Sequence, residues 1–341
     1  MKNHQKELQQ ITEILLKPED NFSDLAPAID DLYRLFIKVS GLETEQPQHR
    51  EHIYLSKGKA IGPHWAALCI RDILRTKRFI LGVFLGIQSA ITKFSKTPIH
   101  VLYAGTGPFA VLAIPLTTFF ASDQVTFTFL EINPLNIEPL ERIIHGFKAE
   151  KYVTEIIQGD ALQFRADPRR PIQMIISETM QNALQKEPQV AITMNLIPQM
   201  ESDGILIPEN IQIETVLLDP KRDGDRMFDL CEATSCYRKL GTIFELNRNI
   251  QAIQPVWGPS EGSYWFPEVE IPVPGNLAAE YPQLCLFTRI QVFEEVELGY
   301  WDCSLTQPQR ILQLNPGQPV NRIAFRYVLN EKPGFEHRVI A

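Results

Sequence analysis

Features that this sequence has in short supply exclude several classes of protein. Its five cysteines are scattered along the chain, and none of their spacings is that of a zinc site. Their odd number and wide scatter favour reduced thiols in a cytosol over a disulfide framework. The sequence therefore predicts no metal centre and no disulfide-held scaffold. The cysteines are Cys69, Cys231, Cys236, Cys285 and Cys303.

Positive charge and long apolar runs are also scarce. The 33 Lys and Arg residues against 41 Asp and Glu residues leave a net charge of −8, which argues against a nucleic-acid binder held by phosphate contacts. The N-terminal sequence MKNHQKELQQ lacks the apolar core of a signal peptide. The longest apolar stretch, residues 79–91, is too short to span a bilayer. The sequence thus predicts a cytoplasmic protein with no membrane span and no nucleic-acid partner.

The first 95 residues are predicted to form a helical segment. Apolar residues recur at helical spacing in residues 11–15 and 29–36, and Pro18 and Gly41 interrupt the pattern. A third helix is predicted from about residue 64 to residue 91. With 341 residues, of which 44% are hydrophobic, the chain is long enough for a sizeable core and about two domains after this segment.

From residue 96 to residue 208, short β-rich runs alternate with helical stretches such as Pro134–Lys148. This alternation predicts a parallel sheet covered on both faces, which is an α/β, Rossmann-like domain. The predicted strands are Ile99–Ala104, Val125–Glu131, Tyr152–Ile157, Ile172–Ser177 and Gly204–Ile207.

From residue 209 to residue 341 the pattern is that of β structure. Alternating apolar runs occur at residues 211–218, 284–293 and 322–328, and turns such as WGPSEG and PVPGN separate them. This pattern predicts a mostly β, barrel-like or sandwich domain. The boundary between the two domains is predicted near Pro208.

A glycine-rich turn follows the first strand of the α/β part. It has the sequence AGTGP, in which Gly105 and Gly107 let the backbone come close to a ligand. A helix is predicted to follow, with its first amides directed at that ligand. The turn is not a Walker loop, and Ala110 stands where the third glycine of a G-x-G-x-x-G motif would be. Alone, the turn is equally typical of a tight strand-to-helix connection.

Acidic residues follow the next two strands. Glu131, in LEINP, is placed to accept hydrogen bonds from ribose hydroxyls. Asp160, in QGDA, could receive an adenine amino group or cap a helix. Together with the glycine-rich turn, these acids predict an adenosine-type ligand. S-adenosylmethionine is favoured over NAD, because no catalytic His or Tyr-Lys arrangement for hydride transfer is recognisable.

Two glutamates nine residues apart lie in the segment SETMQNALQKE. Glu178 directly follows the apolar run MIIS, and Glu187 follows a short loop. Two carboxylates brought together in this way would form an acceptor for a planar cation such as a guanidinium. The alternative is that Glu178 is a plain strand-end acid and Glu187 a solvated acid at a helix start before Pro188.

These motifs resemble those of the protein arginine methyltransferases, a family of class I S-adenosylmethionine methyltransferases. AGTGP followed by LEINP is similar to the symmetric-dimethylating branch, SETMQNALQKE to the family's double-glutamate loop, and ESDGILIPENI to the stretch that closes its sheet domain. The resemblance implies a β-barrel domain after the sheet. It also implies a homodimer, whose arm would be the insertion-like stretch from Asp219 to Arg248.

The resemblance also implies roles for individual residues. The glycine-rich turn would line the methionine part of S-adenosylmethionine, one acid would hold the ribose, another would approach the adenine, and a tyrosine would lie over the cofactor. In that order, these residues are Gly105, Thr106, Gly107 and Pro108, then Glu131, Asp160 and Tyr54. Glu178 and Glu187 would grip the substrate guanidinium. The family's Thr-His-Trp motif is absent, and the pair His64-Trp65 lies far upstream of its place.

Three functions follow from these observations. The first is an S-adenosylmethionine-dependent methyltransferase that N-methylates an arginine or another guanidino group. The second is a tailoring methyltransferase that acts on a nitrogen or oxygen of a small molecule or peptide. The third is a non-catalytic S-adenosylmethionine-binding scaffold protein. The motifs indicate the cofactor more directly than they indicate the methyl acceptor.

Overall fold

A computed structural model of the chain describes residues 4–94, 98–228, 230–259, 262–315 and 320–340. Two residues of the predicted WGPSEG turn, 260 and 261, lie outside the described residues, as do residues 1–3 and 95 of the predicted N-terminal segment. Among the residues that the structure describes, no helix is both long enough and apolar enough to cross a bilayer.

Two helices open the chain where the apolar spacing predicts them. They are α1 (His4–Leu15) and α2 (Phe22–Ser40). Asn21 caps α2 by accepting a hydrogen bond from the backbone N–H of Ser23 at 3.1 Å. Gly41, in the left-handed conformation with φ 64°, ends the helix. A short hairpin of β1 (Ile53–Leu55) and β2 (Gly58–Ala60) follows.

The single helix predicted from residue 64 to residue 91 is wrong, because the chain bends within it. Helices α3 (Pro63–Leu68) and α4 (Ile73–Lys93) are separated by a 3₁₀ turn and by Asp72, whose backbone is extended. The Asp72 carboxylate does not cap α4. It accepts hydrogen bonds from the backbone N–H and the hydroxyl of Ser304 at 2.9 and 2.6 Å. The bend is therefore accompanied by a contact between Asp72 and Ser304, which are far apart in the sequence. The spacing of apolar residues near Asp72 does not reveal this bend.

A five-stranded parallel sheet confirms the predicted α/β, Rossmann-like fold. Its elements are β3 (Ile99–Ala104), β4 (Val125–Glu131), α5 (Pro134–Gly146), β5 (Val153–Gln158), β6 (Ile172–Ser177), α6 (Gln189–Leu196) and β7 (Met200–Ile207). The strands lie in the order β5-β4-β3-β6-β7. The chain moves outward from β3 to β5 and then returns to the other side of β3. Open α/β sheets bind ligands at such a reversal, beyond the carboxyl ends of the strands.

Two antiparallel sheets confirm the predicted mostly β part of the chain. Their elements are β8 (Asn210–Leu218), α7 (Pro220–Arg226), β9 (Tyr237–Asn247), β10 (Val256–Trp257), β11 (Tyr264–Trp265), β12 (Val269–Pro272), α8 (Gly275–Glu280), β13 (Gln283–Phe293), β14 (Val296–Leu298), β15 (Gln309–Gln313), β16 (Arg322–Leu329) and β17 (Gly334–Ile340). One sheet has the order β14-β13-β8-β9 with β15 on β13, and the other has the order β10-β11-β16-β12 with β17 on β16. The ring of Phe244, from the first sheet, stacks at 5.0 Å on that of Tyr327, from the second.

The stretch from Asp219 to Arg248 is only partly the insertion that the sequence predicts. Its last third is β9, which pairs with β8 and belongs to the sheet. Two register shifts interrupt that pairing, and they explain why the alternation of β9 does not show in the sequence. The remaining part carries α7 and lies between two paired strands. Residue 229 of this part is outside the described residues.

Candidate active site

A cavity of about 590 Å³ lies at the carboxyl ends of β3, β4 and β6. This volume is within the range of roughly 300–1,000 Å³ that small-molecule sites occupy. The reversal of strand order brings the glycine-rich turn at Gly105 and the second glutamate, Glu187, to the same cavity. All but one of the predicted site residues line the cavity: Gly105, Thr106, Gly107, Pro108, Glu131, Asp160, Glu178 and Glu187.

The glycine-rich turn leaves β3 in a conformation that suits glycine. Gly105 and Gly107 have φ of 77° and 60°, in the left-handed region that side chains disfavour. A Cβ on Gly105 would lie 2.4 Å from Cγ2 of Thr179 in the double-glutamate loop. The turn and the loop therefore approach each other so closely that Gly105 cannot carry a side chain without displacing Thr179.

The helix predicted after the glycine-rich turn is wrong. The chain continues through turns, with Ala110 at φ 45°, into a 3₁₀ helix at Ile114–Thr118. A residue in the left-handed conformation cannot continue an α-helix, and Pro115 lacks the N–H that a helix interior requires. No α-helix N-terminus therefore follows this turn among the described residues, and the predicted helix-start amides are not part of the site.

Glu131 is buried and fixes the shape of the glycine-rich turn. One carboxylate oxygen accepts a hydrogen bond from the backbone N–H of Gly107 at 2.7 Å, and the other accepts one from Asn133 N–H at 2.8 Å. Burial raises the pKa of Glu131, and the N–H groups of Asn133 and Gly107 oppose that rise. The carboxylate thus joins the ends of β3 and β4 at the wall of the cavity.

Asp160 lies on the same wall and caps the turn that follows β5. Its Oδ1 accepts a hydrogen bond from the backbone N–H of Leu162 at 2.9 Å. The sequence allowed a helix-capping role, but no helix directly follows Asp160, so the residue caps a turn instead. The residue also lines the cavity, so the capping role and the ligand-binding role are compatible.

Glu178 already holds a guanidinium that belongs to the chain itself. Its Oε2 accepts a hydrogen bond from Nη2 of Arg75, on α4, and the side chains of both residues are 12% exposed. Its Oε1 is buried and has no hydrogen-bond partner among the described residues. Burial raises the pKa of Glu178, and the guanidinium of Arg75 opposes that rise.

Glu187 is buried in the same cavity and is not the solvated acid of the alternative interpretation. It is 6% exposed, and its Oε1 accepts a hydrogen bond from the side-chain amide of Gln181 at 2.9 Å. Burial raises the pKa of Glu187 to about 7, with a further contribution from the charge of Glu178 and an opposing one from Gln181. At neutral pH this group can therefore both hold and release a proton.

The loop between the two glutamates is anchored mainly by the β part of the chain. The backbone N–H of Ala183 donates to Thr288 Oγ1 at 2.7 Å, and that of Lys186 donates to the Pro333 carbonyl at 2.8 Å. The hydroxyl of Tyr327 donates to the carbonyl of Leu184 at 2.8 Å. Ala183, Leu184 and Lys186 all have positive φ, a conformation that such outside contacts must hold in place.

Gln189, at the start of α6, holds the first residues of the same loop. Its side-chain oxygen accepts hydrogen bonds from the backbone N–H and the hydroxyl of Thr179 at 2.8 and 2.9 Å. Its side-chain nitrogen donates to the Ser177 carbonyl at 3.0 Å. Gln189 is 1% exposed, so this side chain fixes the exit of β6, and with it Glu178, from within the protein.

Solved structures share this arrangement of sheet and β part, although no protein-family model matches the sequence and no curated protein matches it. The crystal structure of PRMT6-SAH matches with a TM-score of 0.52 and 11% identity, over 81% of this chain and 99% of that chain. The crystal structure of PRMT6 matches with a TM-score of 0.51 and 12% identity, over 80% and 98%. The chain has a PRMT-like class I methyltransferase fold. The closer resemblance to the symmetric-dimethylating branch stays a prediction.

The PRMT-like fold does not place every predicted residue at the cavity. Tyr54, on β1, is 76% exposed and is not part of the cavity wall. The neighbouring strand of the hairpin, β2, reaches the site instead. Its Lys59 lines the cavity, and the backbone N–H of Lys59 donates to the carbonyl of Lys186 at 2.9 Å. The predicted role of Tyr54 over the cofactor therefore has no support from this geometry.

Two residues that hold the double-glutamate segment were missed by the sequence reasoning. Arg75 follows Asp72 by three positions on a helix whose local pattern is that of a packing helix, so nothing nearby distinguishes it from a surface arginine. Gln189 is two residues past the double-glutamate segment, and its position directly after Pro188 at a helix start was the one available signal. Arg75 acts through a contact 103 positions away in the chain, whereas Gln189 acts through contacts 10 and 12 positions away.

Proposed function

We propose that this protein is an S-adenosylmethionine-dependent methyltransferase that N-methylates a guanidino group. One observation carries the proposal. Glu178 lies in the cavity with one oxygen on a guanidinium and with its other oxygen buried and without a hydrogen-bond partner among the described residues. A buried, unpaired carboxylate oxygen costs free energy unless a donor reaches it. A second guanidinium, that of the acceptor, would supply that donor.

The residues of the cavity fit S-adenosylmethionine. The neighbouring PRMT6-SAH structure contains SAH, the product that S-adenosylmethionine leaves. In this chain, Arg75 would meet the carboxylate of the methionine part, Glu131 the ribose, and Asp160 the adenine edge beside Leu130 and Ile132. When bound, S-adenosylmethionine supplies an electrophilic methyl group on a sulfonium. The glycine-rich turn would let the backbone approach it.

Glu178 and Glu187 would orient and polarise the acceptor. A guanidinium is a poor nucleophile, because its charge is delocalised and its pKa exceeds about 12. Two carboxylates on two of its nitrogens concentrate positive charge there and leave the third nitrogen richer in electrons. Both acids are largely removed from water, which strengthens this effect and holds the acceptor in one orientation.

Glu187 is the better candidate to accept the proton that methylation releases. Its pKa, raised to about 7, is near the value at which a general base works best at neutral pH. Gln181 occupies Oε1 of Glu187, so Oε2 is left for the acceptor. Arg75 lies against Glu178 instead and favours the ionised form of that carboxylate. Glu178 would therefore bind the acceptor guanidinium, and Glu187 would both bind it and accept its proton.

Acceptor profiling tests this function. The purified protein is incubated with S-adenosylmethionine labelled in the methyl group, and guanidino, amino and hydroxyl compounds are compared as acceptors. We expect transfer to guanidino compounds, including peptides that contain arginine. Transfer only to amines or hydroxyls would point to a tailoring methyltransferase. Cofactor binding without transfer to any acceptor would point to a scaffold protein.

Replacement of Glu131 by alanine is expected to weaken binding of S-adenosylmethionine by roughly 1–3 kcal/mol, the range for a lost hydrogen bond to a charged group. The change removes the proposed ribose acceptor and frees the Gly107 N–H. Calorimetry on the folded variant measures the effect. Glu138→Ala, an exposed acid on α5, serves as the control. An unchanged affinity in a folded Glu131→Ala protein would remove this residue from the site.

We further propose that two copies of the chain associate through the end of α7. Met227, Phe228 and Leu230 follow this helix and are 70%, 76% and 72% exposed. Neighbouring large apolar side chains that are exposed to this degree mark interaction surfaces more often than scattered single ones do. A homodimer in which this segment contacts the partner would cover them.

Phe228→Asp is expected to convert the dimer to a monomer, because a charge would then have to be buried at the contact. Sedimentation at micromolar concentration measures the mass of both proteins. Val256→Asp, at an exposed apolar position elsewhere in the β part, is the matched control and should leave the mass unchanged. A monomeric wild-type protein under these conditions would show that the proposal is wrong.

A further inference from the structure

A second cavity, which we call the side groove, lies next to the proposed cofactor cavity. It has a volume of about 540 Å³ and runs between the bend that precedes α4 and residues 301–307. Cys69, Arg75 and Ser304 line both cavities. The side groove therefore adjoins the first cavity beside the ion pair of Arg75 and Glu178.

Trp301 forms part of the outer wall of the side groove. It is half-buried, and its backbone has φ 62°. This left-handed conformation is rare for a bulky residue and is maintained only when surrounding contacts enforce it. The position of Trp301 in the wall therefore depends on whatever holds its side chain.

The side chain of Trp301 is held by α7. Oδ1 of Asp223 accepts a hydrogen bond from Nε1 of Trp301 at 2.9 Å and another from the hydroxyl of Tyr300. The guanidinium of Arg226 lies over both rings, 5.3 Å from the centre of Tyr300 and 5.6 Å from that of Trp301. Tyr300 in turn stacks on Phe287 with 4.6 Å between the ring centres.

Helix α7 has no buried residue of its own, so it is not part of the hydrophobic core. The contacts of Asp223 and Arg226 with residues 300 and 301 are directed at the wall of the side groove. A charged carboxylate that accepts from an indole N–H and a phenol hydroxyl at once fixes both rings, since hydrogen bonds to charged acceptors are the stronger ones. Helix α7 thus holds in place a part of the side-groove wall that lies outside the cofactor cavity.

We propose that the side groove is the path of the methyl acceptor, with Trp301 as its wall and Asp223 as the positioning residue that sets Trp301. The proposal rests on the proposed methyltransferase function and deepens it. Acceptor affinity then depends on Asp223 of α7, which lies outside the cofactor cavity. Neither Asp223 nor Trp301 lines that cavity, so cofactor affinity is independent of both.

The variant Asp223→Asn tests whether acceptor affinity can change while cofactor affinity does not. We expect the KM for a guanidino acceptor to rise by about tenfold, which corresponds to the loss of a charged hydrogen bond, while kcat and the cofactor dissociation constant change by less than about twofold. Trp301→Phe, which removes the indole N–H donor and part of the ring surface but retains a phenyl ring, should give a smaller rise. Asp225→Asn is the control, because the Asp225 side chain makes no hydrogen bond or ion pair with the described residues. An equal loss of cofactor affinity in Asp223→Asn would overturn the proposal.

A spectroscopic readout does not depend on turnover. The protein is labelled with 5-fluorotryptophan, and the signal of Trp301 among the four tryptophans is assigned from Trp301→Phe. Asp223→Asn should shift this signal, and Asp225→Asn should not. In SAH-saturated wild-type protein, an arginine-containing peptide should shift it as well. A peptide that binds without moving the Trp301 signal would overturn the proposal alone, whereas a protein that neither binds nor methylates any guanidino compound would overturn the proposed function and the groove assignment together.

Discussion

Glu178→Gln and Glu187→Gln are each expected to reduce kcat/KM by about 10²–10⁴-fold, the range for loss of a catalytic acid-base group. Glutamine keeps the shape of the side chain and loses the charge that pairs with the acceptor cation. Binding of S-adenosylmethionine should be retained in both variants, because the proposed ribose and adenine contacts lie at the end of β4 and just after β5. Turnover with labelled cofactor and calorimetry measure the two quantities separately.

The double variant distinguishes a joint role from two separate ones. If the two glutamates act on one guanidinium, the losses in kcat/KM should be far from additive. Either change alone removes one of the two carboxylates that must contact the guanidinium together. Glu155→Gln, an exposed acid on β5, serves as the control. Wild-type turnover in both single variants would show that the guanidinium proposal is wrong. Impairment of Glu178→Gln alone would favour an enzyme that uses one acid on an amine or hydroxyl.

Arg75→Met is expected to destabilise the folded protein by about 3–5 kcal/mol at neutral pH, the range for removing one partner of a buried ion pair. The cause is the carboxylate of Glu178, which would remain in a buried site with no cation against it. Chemical denaturation followed by circular dichroism measures the free energy of unfolding. Arg34→Met removes an exposed arginine from a surface ion pair on α2 and should have little effect.

The loss of stability in Arg75→Met, which we call the deficit, should be larger at high pH than at low pH. Without Arg75, the pKa of Glu178 in the folded protein would lie above its value in the unfolded chain. Between these two pKa values the folded state binds more protons than the unfolded state does. The free energy of unfolding therefore falls as the pH rises from the unfolded pKa through the folded pKa. The deficit should be smallest near pH 4, and Arg75→Met/Glu178→Gln should recover part of it at pH 8. A deficit that is equal at both values would exclude the buried charge as its cause.

The parallel strands could be predicted closely from the sequence. Ile99–Ala104, Val125–Glu131 and Ile172–Ser177 occur with the predicted bounds, because strands buried on both faces form continuous apolar runs with polar ends. The bend at Asp72 could not be predicted, since its carboxylate is engaged by Ser304, more than two hundred residues away. Strand β9 was concealed by the register shifts in its pairing with β8.

The candidate site was predictable where it depends on strand ends. Glu131 is the last residue of β4 and Glu178 directly follows β6, and the carboxyl ends of parallel strands share one edge of the sheet. Arg75 was not predictable, because its importance comes from burial against Glu178 and not from any local pattern. Asp160 and Glu187 line the cavity as the sequence reasoning expected, and their functional roles stay predictions until the variants above are measured.

The anchoring of the double-glutamate loop has a consequence for how such a protein could diversify. The two acids are encoded beside β6, yet Thr288, Tyr327 and Pro333 of the β part hold the residues between them. Substitutions in the β part can therefore alter the spacing of the carboxylates while the glycine-rich turn and Glu131 remain as they are. Acceptor preference can drift in this way during evolution without any change in the residues that would bind the cofactor.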